Sequence, residues 1–320
     1  MKVCHTGLLW MAISSPLFLV PPVFAQLPLP ENVVDSVTFI VVSDGTKVGG
    51  GTGFYVNHEG KDGRGYLVTA KHVLMSDSTN YYPSVCMKMN NNSGGTDFIP
   101  IALSGPNAAR VFVHPDDANV DIAIIPSSDI ALPPGKSARD YDVTTIAVSA
   151  FATKEHFVKR HIAVGDEVFL TGWFSSLYGT SRNYPIARFG RLAIASDEKI
   201  PWVEKSGVQM ISLYLVEAHA TGGNSGSPVF FRPTLQREPG TFVLGRQSLY
   251  LAGVLKGYFG AVGERNSGIA AVVPAFQLQQ IMLSEEAKNA PVRRAVRPAP
   301  EAIDACLKAE KQLRAVLRQP

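Results

Sequence analysis

The sequence predicts an all-β fold in two strand-dense halves with a helical tail, and three observations carry that prediction. Short runs rich in β-branched and aromatic residues recur from Val33 onward, separated by glycine, asparagine and aspartate clusters that make turns. The stretch LPPGKSARDYD, beginning at Leu132, is rich in proline and charge and divides those runs into two sets. From Val273, in VPAFQLQQIML, the apolar spacing changes to one that suits a helix. Many short strands at this spacing fit a barrel or sandwich better than an alternating βαβ protein.

The elements follow in order. Residues 1–25 read as a signal peptide: Lys2 supplies the positive region, GLLWMAISSPLFLV the apolar one, and VFA, ending at Ala25, the cleavage positions. Pro16, Pro21 and Pro22 oppose a persistent spanning helix, and no later run approaches the roughly 20 apolar residues a span needs. The mature protein is therefore expected to be secreted or periplasmic, with no stable membrane span after signal removal. QLPLPEN then reads as a proline-bearing leader. The first half carries SVTFIVV, GTGFYV, GYLVTA, FIPIALS, ARVFVH and DIAIIPS. The second carries DEVFLTGW, ARFGRLAIA, MISLYLVEA, SPVFF, FVLGR and YLAGVLKGY. Beyond the helical segment, APVRRAVRPAP reads as a linker. EAIDACLKAEKQLRAVL reads as an amphipathic helix with i,i+4 charge pairs such as Glu310 with Arg314.

Composition narrows the function. The 320 residues are 46% hydrophobic and 18% charged, enough for a sizeable core. A net charge of +3 without a concentrated basic stripe argues against a nucleic-acid partner. No CxxC or HExxH pattern and no P-loop appears, so neither a metal nor a cofactor is expected. Cys4 leaves with the signal. Cys86 and Cys306 remain, and export permits a disulfide between them. Two unpaired thiols are the expectation, because nothing in the sequence brings the two together.

The chemistry centres on HATGGNSGSPVF, which begins at His219. A serine on a tight glycine-rich turn needs a base, a group that orients the base, and donors for a developing oxyanion. LVTAKHVL places His72 directly after an apolar strand, and NVDIAII places Asp121 at the mouth of another. The other histidines, His58, His114, His156, His161 and His219, sit mostly among loop or charged residues. Asp116 and Asp117 compete with Asp121, but only Asp121 leads straight into an apolar run.

TAKHVL, DIAII and GNSGSPV, in that order, resemble the histidine, aspartate and nucleophile motifs of the chymotrypsin-like serine proteases, over about Val33 to Leu283. The resemblance implies two six-stranded antiparallel β-barrels: one over about 33–131 and one over about 160–283, within a protease domain of 26–283. Residues 284–320 follow as linker and helical tail. It also implies Ser225 as nucleophile, His72 as general base and then acid, and Asp121 holding the imidazole tautomer. The amides of Gly223 and Ser225 would form the oxyanion hole, and glycine at 223 suits an amide that must point inward. Asn224 stands where the digestive branch has an aspartate, so the motif is closer to the bacterial HtrA-type and glutamyl-endopeptidase branches. The segment after Leu283 is too short for the PDZ domain that HtrA-type proteases usually carry. Leu255 occupies the position of the glutamyl endopeptidases' pocket histidine, so a preference for acidic residues is not implied.

By distance from the nucleophile, His219 and Ala220 are expected near the pocket floor. Leu255, Lys256 and Gly257 are expected on the strand that pairs with substrate backbone, and Gly268 on the opposite wall. A small or apolar residue before the cut fits best, while His219 leaves a polar or acidic preference open. The implied partners are protein or peptide substrates. The alternative is a catalytically weak or inactive binding scaffold on the same barrels, for which the unusual Lys256 and the tail speak.

Overall fold

Seven strands pair in the first half of the chain and six close into a barrel in the second. The computed structural model describes residues 29, 31–43, 48–58, 64–159, 161–175, 177, 179, 181–204, 207–232, 249–259, 266–293 and 295–316, without the side chains of 31, 32, 204, 314 and 316. The signal segment, the run FVLGR and the side chain of Arg314 lie outside the described residues.

The first half contains β1 Val37–Ser43, β2 Val48–Asn57, β3 Gly65–Thr69, β4 Ser84–Asn90, β5 Thr96–Ala102 and β6 Ala123–Pro126. They lie in the order β5-β4-β1-β2-β3-β6, every neighbouring pair antiparallel. Among the described residues this sheet is a half-barrel whose end strands, β5 and β6, do not pair with each other. β7 Thr145–Ala147, past the proline-rich connection, adds to β2 in parallel. ARVFVH, expected as a strand, contributes only the bridge between Phe112 and Ile124. Its Arg110 is drawn instead to Asp129, which accepts from both the backbone and the guanidinium at 2.7–3.1 Å.

The second half contains β8 Glu167–Gly172, β9 Ile186–Ala195, β10 Ile200–Glu204, β11 Gly207–Ile211, β12 Tyr214–Glu217, β13 Pro228–Arg232, β14 Tyr250–Tyr258 and β15 Ile269–Pro274. The closed barrel runs β12-β15-β14-β13-β8-β9, and β9 returns to β12. β10 and β11 form a separate hairpin. MISLYLVEA is divided between the end of β11 and the whole of β12. The helix expected from Val273 begins later, at Ala275, because Val273 and Pro274 complete β15. Pro274 caps the helix Ala275–Met282, where a missing N–H costs no helical bond.

One apolar core is shared by the halves: Phe54, Val56, Val68 and Ile124 from the first pack with Phe169, Leu215, Val254 and Val273 from the second. Leu278, Ile281 and Met282 of the helix close it. The tail helix Pro300–Val316 packs Cys306, Ala309 and Leu313 against Phe39, Val41, Cys86 and Trp173. That docking corrects the expectation of free thiols. Cys86 and Cys306, 220 residues apart in sequence, are disulfide-bonded with Cα atoms 5.0 Å apart. Sequence separation hid the pair, because only the return of the tail helix onto β4 brings it together. Among the described residues, no helix is long and apolar enough to cross a membrane.

A crosslink that closes so long a loop restricts the unfolded chain strongly. The double variant Cys86→Ser/Cys306→Ser should lose about 2–5 kcal/mol of stability, read as a fall in midpoint on denaturant titration. An unchanged midpoint would show that the tail helix docks without help from the crosslink.

Candidate active site

His72 stands on the single 3₁₀ turn Lys71–Leu74, immediately after β3. Val73 and Leu74 of that turn are buried, which pins it and leaves the imidazole at the surface of the first half. Asp121 sits just before β6 and is 2% exposed. Its Oδ2 lies 2.7 Å from His72 Nδ1, and its Oδ1 accepts the His72 backbone N–H at 2.9 Å. The aspartate therefore fixes both the ring and the main chain of the histidine. Burial alone would raise the Asp121 pKa, but it is outweighed by the His72 charge and side-chain hydrogen bond, the Lys256 ammonium and the His72 amide. Together they hold the carboxyl far below the ordinary carboxylate range.

Ser225 comes from the second half, on the loop that leads into β13. Asn224 shapes that loop from inside. It is fully buried; its Oδ1 accepts from the backbone and hydroxyl of Thr221 at 2.9 and 3.1 Å, and its Nδ2 donates to the Trp173 carbonyl at 2.7 Å. An aspartate could not make that last donation, which gives Asn224 a physical role here. Gly223 has φ +90°, and a Cβ there would lie 3.0 Å from the Trp173 carbonyl oxygen. Among the described residues, the amides of Gly223 and Ser225 donate to no protein acceptor. They are two adjacent donors free to bind an anion.

Thr52 of β2 clamps this loop to the first half. Its N–H donates to the Ser225 carbonyl at 2.7 Å and its hydroxyl to the Gly223 carbonyl at 2.9 Å. The same hydroxyl accepts the Trp173 N–H at 2.8 Å, and the Thr52 carbonyl accepts from Thr69 at 2.8 Å. Gly51 beside it is required by closeness, since a Cβ would lie 2.6 Å from both the Ser225 carbonyl and Val73 Cγ2. Gly51 thus lies between the Ser225 carbonyl and Val73 of the turn that carries His72. The Ser225 hydroxyl donates to the Lys256 carbonyl at 3.1 Å, and among the described residues no hydrogen bond joins it to His72. Catalytic hydrogen bonds are commonly loose until substrate binds.

The residues expected around a pocket fall into distinct places. His219 is exposed and Ala220 buried. Asn266 ties the Ala220 carbonyl to Gly268, donating to the first and accepting the Gly268 amide at 2.9 Å. Leu255 is fully buried within the barrel, and its backbone pairs with Gly226 and Ser227 of the nucleophile loop. At Gly257 the register between β14 and β15 shifts, so the strand bulges. Lys256, expected on the substrate strand, turns its side chain inward: Nζ lies 3.1 Å from Asp121 Oδ2 and 5.1 Å from the centroid of Trp202. Sequence reasoning passed over Thr52, Trp173, Asn266 and the Lys256 side chain. Only Lys256 left a signal, a cation inside an apolar strand run.

The family model described as a trypsin-like peptidase domain matches residues 51–232. No curated protein matches the chain. Similar solved structures include the MamO protease domain from Magnetospirillum magneticum, with 16% identity, 78% of this chain and 96% of that chain covered, and a TM-score of 0.46. The Rv3671c protease from M. tuberculosis, in its active form, is 18% identical over 93% of this chain and 99% of that one, with a TM-score of 0.43. The thermostable serine protease AL20 from an extremophilic microorganism is 11% identical over 78% and 95%, with a TM-score of 0.44.

Thr52→Val keeps shape and burial but removes the hydroxyl that serves Gly223 and Trp173. Leaving those buried groups unpartnered should cost about 2 kcal/mol in thermal unfolding. Displacement of the loop should lower turnover roughly tenfold or more with little change in KM. A variant as active as the parent would show that the loop holds its place without the clamp.

Proposed function

This chain belongs to the trypsin-like peptidase family, and on that premise we propose that it is an exported serine endopeptidase that cleaves peptide bonds through an acyl-enzyme at Ser225. The observation that carries the proposal is convergence. A histidine–aspartate pair from the first half and a serine beside two unpaired amides from the second are joined through Lys256, whose ammonium meets Asp121 and whose carbonyl accepts from Ser225.

In the proposed cycle His72 Nε2 takes the Ser225 proton as Oγ attacks the substrate carbonyl. Asp121, bonded to Nδ1–H, holds the tautomer and stabilises the imidazolium. The amides of Gly223 and Ser225 receive the oxyanion, each such donor supplying about 3 kcal/mol in the transition state. His72 then protonates the leaving amine. Water repeats the attack on the acyl-enzyme, returning the proton to His72 and then to Ser225. For this the serine hydroxyl must rotate from the Lys256 carbonyl toward His72. Substrates are proteins or peptides. Residues 1–25 support export, and Ala220 with Gly268 supports a small or apolar residue before the cut. The bacterial-type motif around Asn224 supports activity without insertion of a new amino terminus.

One observation favours the inactive-scaffold alternative: the serine hydroxyl is bonded to Lys256 and not to His72. Incubating the mature protein with a complex peptide mixture separates the two. Turnover should be detectable, and Ser225→Ala should reduce it by more than about a thousandfold while remaining folded. A folded parent protein without turnover would establish the scaffold.

A further inference from the structure

The strand that runs beside the nucleophile, β14, places a lysine where the apolar pattern of its neighbours predicts none. Leu255 is fully buried and Lys256 is 8% exposed. Among the groups its ammonium faces are Asp121 and Trp202. Asp121 Oδ2 lies at 3.1 Å, and the Trp202 ring, delivered by the β10–β11 hairpin, lies 5.1 Å away at its centroid. Asp121 Oδ2 is also the oxygen that holds His72 Nδ1 at 2.7 Å. The Lys256 carbonyl accepts the Ser225 hydroxyl at 3.1 Å. One residue therefore touches the aspartate with its side chain and the serine with its backbone.

We propose that Lys256 is a positioning residue of the active site: it shares the Asp121 carboxylate with His72, holds the Ser225 hydroxyl at rest, and lets the base stay neutral at lower pH. The inference rests on the peptidase reading for its kinetic consequences. Its physical basis is charge. A carboxylate serving one imidazole stabilises the imidazolium with its whole negative charge. Here an ammonium sits on the same oxygen, and both ions are nearly out of water, where charges interact strongly. The pair is close to neutral, so protonating His72 gains less. The aspartate stays ionised and still aims the ring. Among the described residues, two other charges on this face are committed elsewhere: Lys71 Nζ donates to the Ala118 carbonyl at 2.5 Å, and Asp117 pairs with Lys199 at 2.9 Å. The carbonyl contact to Ser225 would be made by any residue at 256; the contact to Asp121 is the one that only a long basic side chain supplies.

Two variants test this. Lys256→Gln keeps a donor toward Asp121 and loses the charge; Lys256→Arg keeps the charge. The pH dependence of kcat/KM is measured for both, with thermal melts to confirm folding. Lys256→Gln should move the acid limb up by about one pH unit, the scale on which a single neighbouring charge acts, with kcat reduced more than KM changes. Lys256→Arg should restore the limb toward its parental place. An acid limb that stays put in folded Lys256→Gln overturns the proposal. Ring titration of His72 by NMR, in Ser225→Ala with and without Lys256→Gln, reads the same coupling without turnover. A shift there supports Lys256 even if the parent protein hydrolyses nothing, and no shift overturns it.

Discussion

The candidate site depends on a joint between two sheets, and Thr52 is its centre. A fully buried threonine on β2 spends its amide, hydroxyl and carbonyl on Ser225, Gly223, Trp173 and Thr69. Three of these partners belong to the second half. Because buried polar groups are costly to leave unpaired, the loop has one low-energy seat, and that seat lies against the turn that carries His72. Gly51 leaves the room for it, and Asn224 stiffens the loop from the opposite side. Apolar packing holds the halves together over a wide area, and this polar joint, with links such as Asn183 to Asn90 and Lys256 to Asp121, helps set their register at the scale that chemistry requires.

Electrostatics is arranged around the same seam. Asp121 is buried yet ionised because His72 and Lys256 compensate for its lost hydration. The amides of Gly223 and Ser225 donate to no acceptor among the described residues, and the positive φ at Gly223 is a backbone bend that glycine tolerates. Behind Trp173, the cluster with Phe39 continues to the disulfide and the tail helix. The tail thus supports the residue whose carbonyl anchors Asn224.

The sequence made some of this legible and hid the rest, for physical reasons. The strand runs were visible because half-buried strands alternate or concentrate β-branched residues, and FYV, YLV and AII all do so. β4, SVCMKMN, escaped because methionine, lysine and cysteine carry little β signal, although its centre is buried. The triad candidates were legible because each sits beside an apolar strand in a short, recognisable string. Lys256 was noticed, but its direction was not, since a strand position specifies a face and not a partner. Thr52 and Asn266 act through hydrogen bonds to residues far along the chain, and no local pattern announces such bonds. The disulfide was hidden likewise, by a tail that returns across 220 residues.

The central claim is that Ser225 and His72, carried by different sheets, act as one unit. Peptide mapping after reaction with a fluorophosphonate tests it most directly. The account predicts a single phosphonylated residue, Ser225, and loss of that adduct in folded His72→Ala. An adduct on Ser227 or elsewhere, or labelling of Ser225 that persists undiminished without His72, would contradict it.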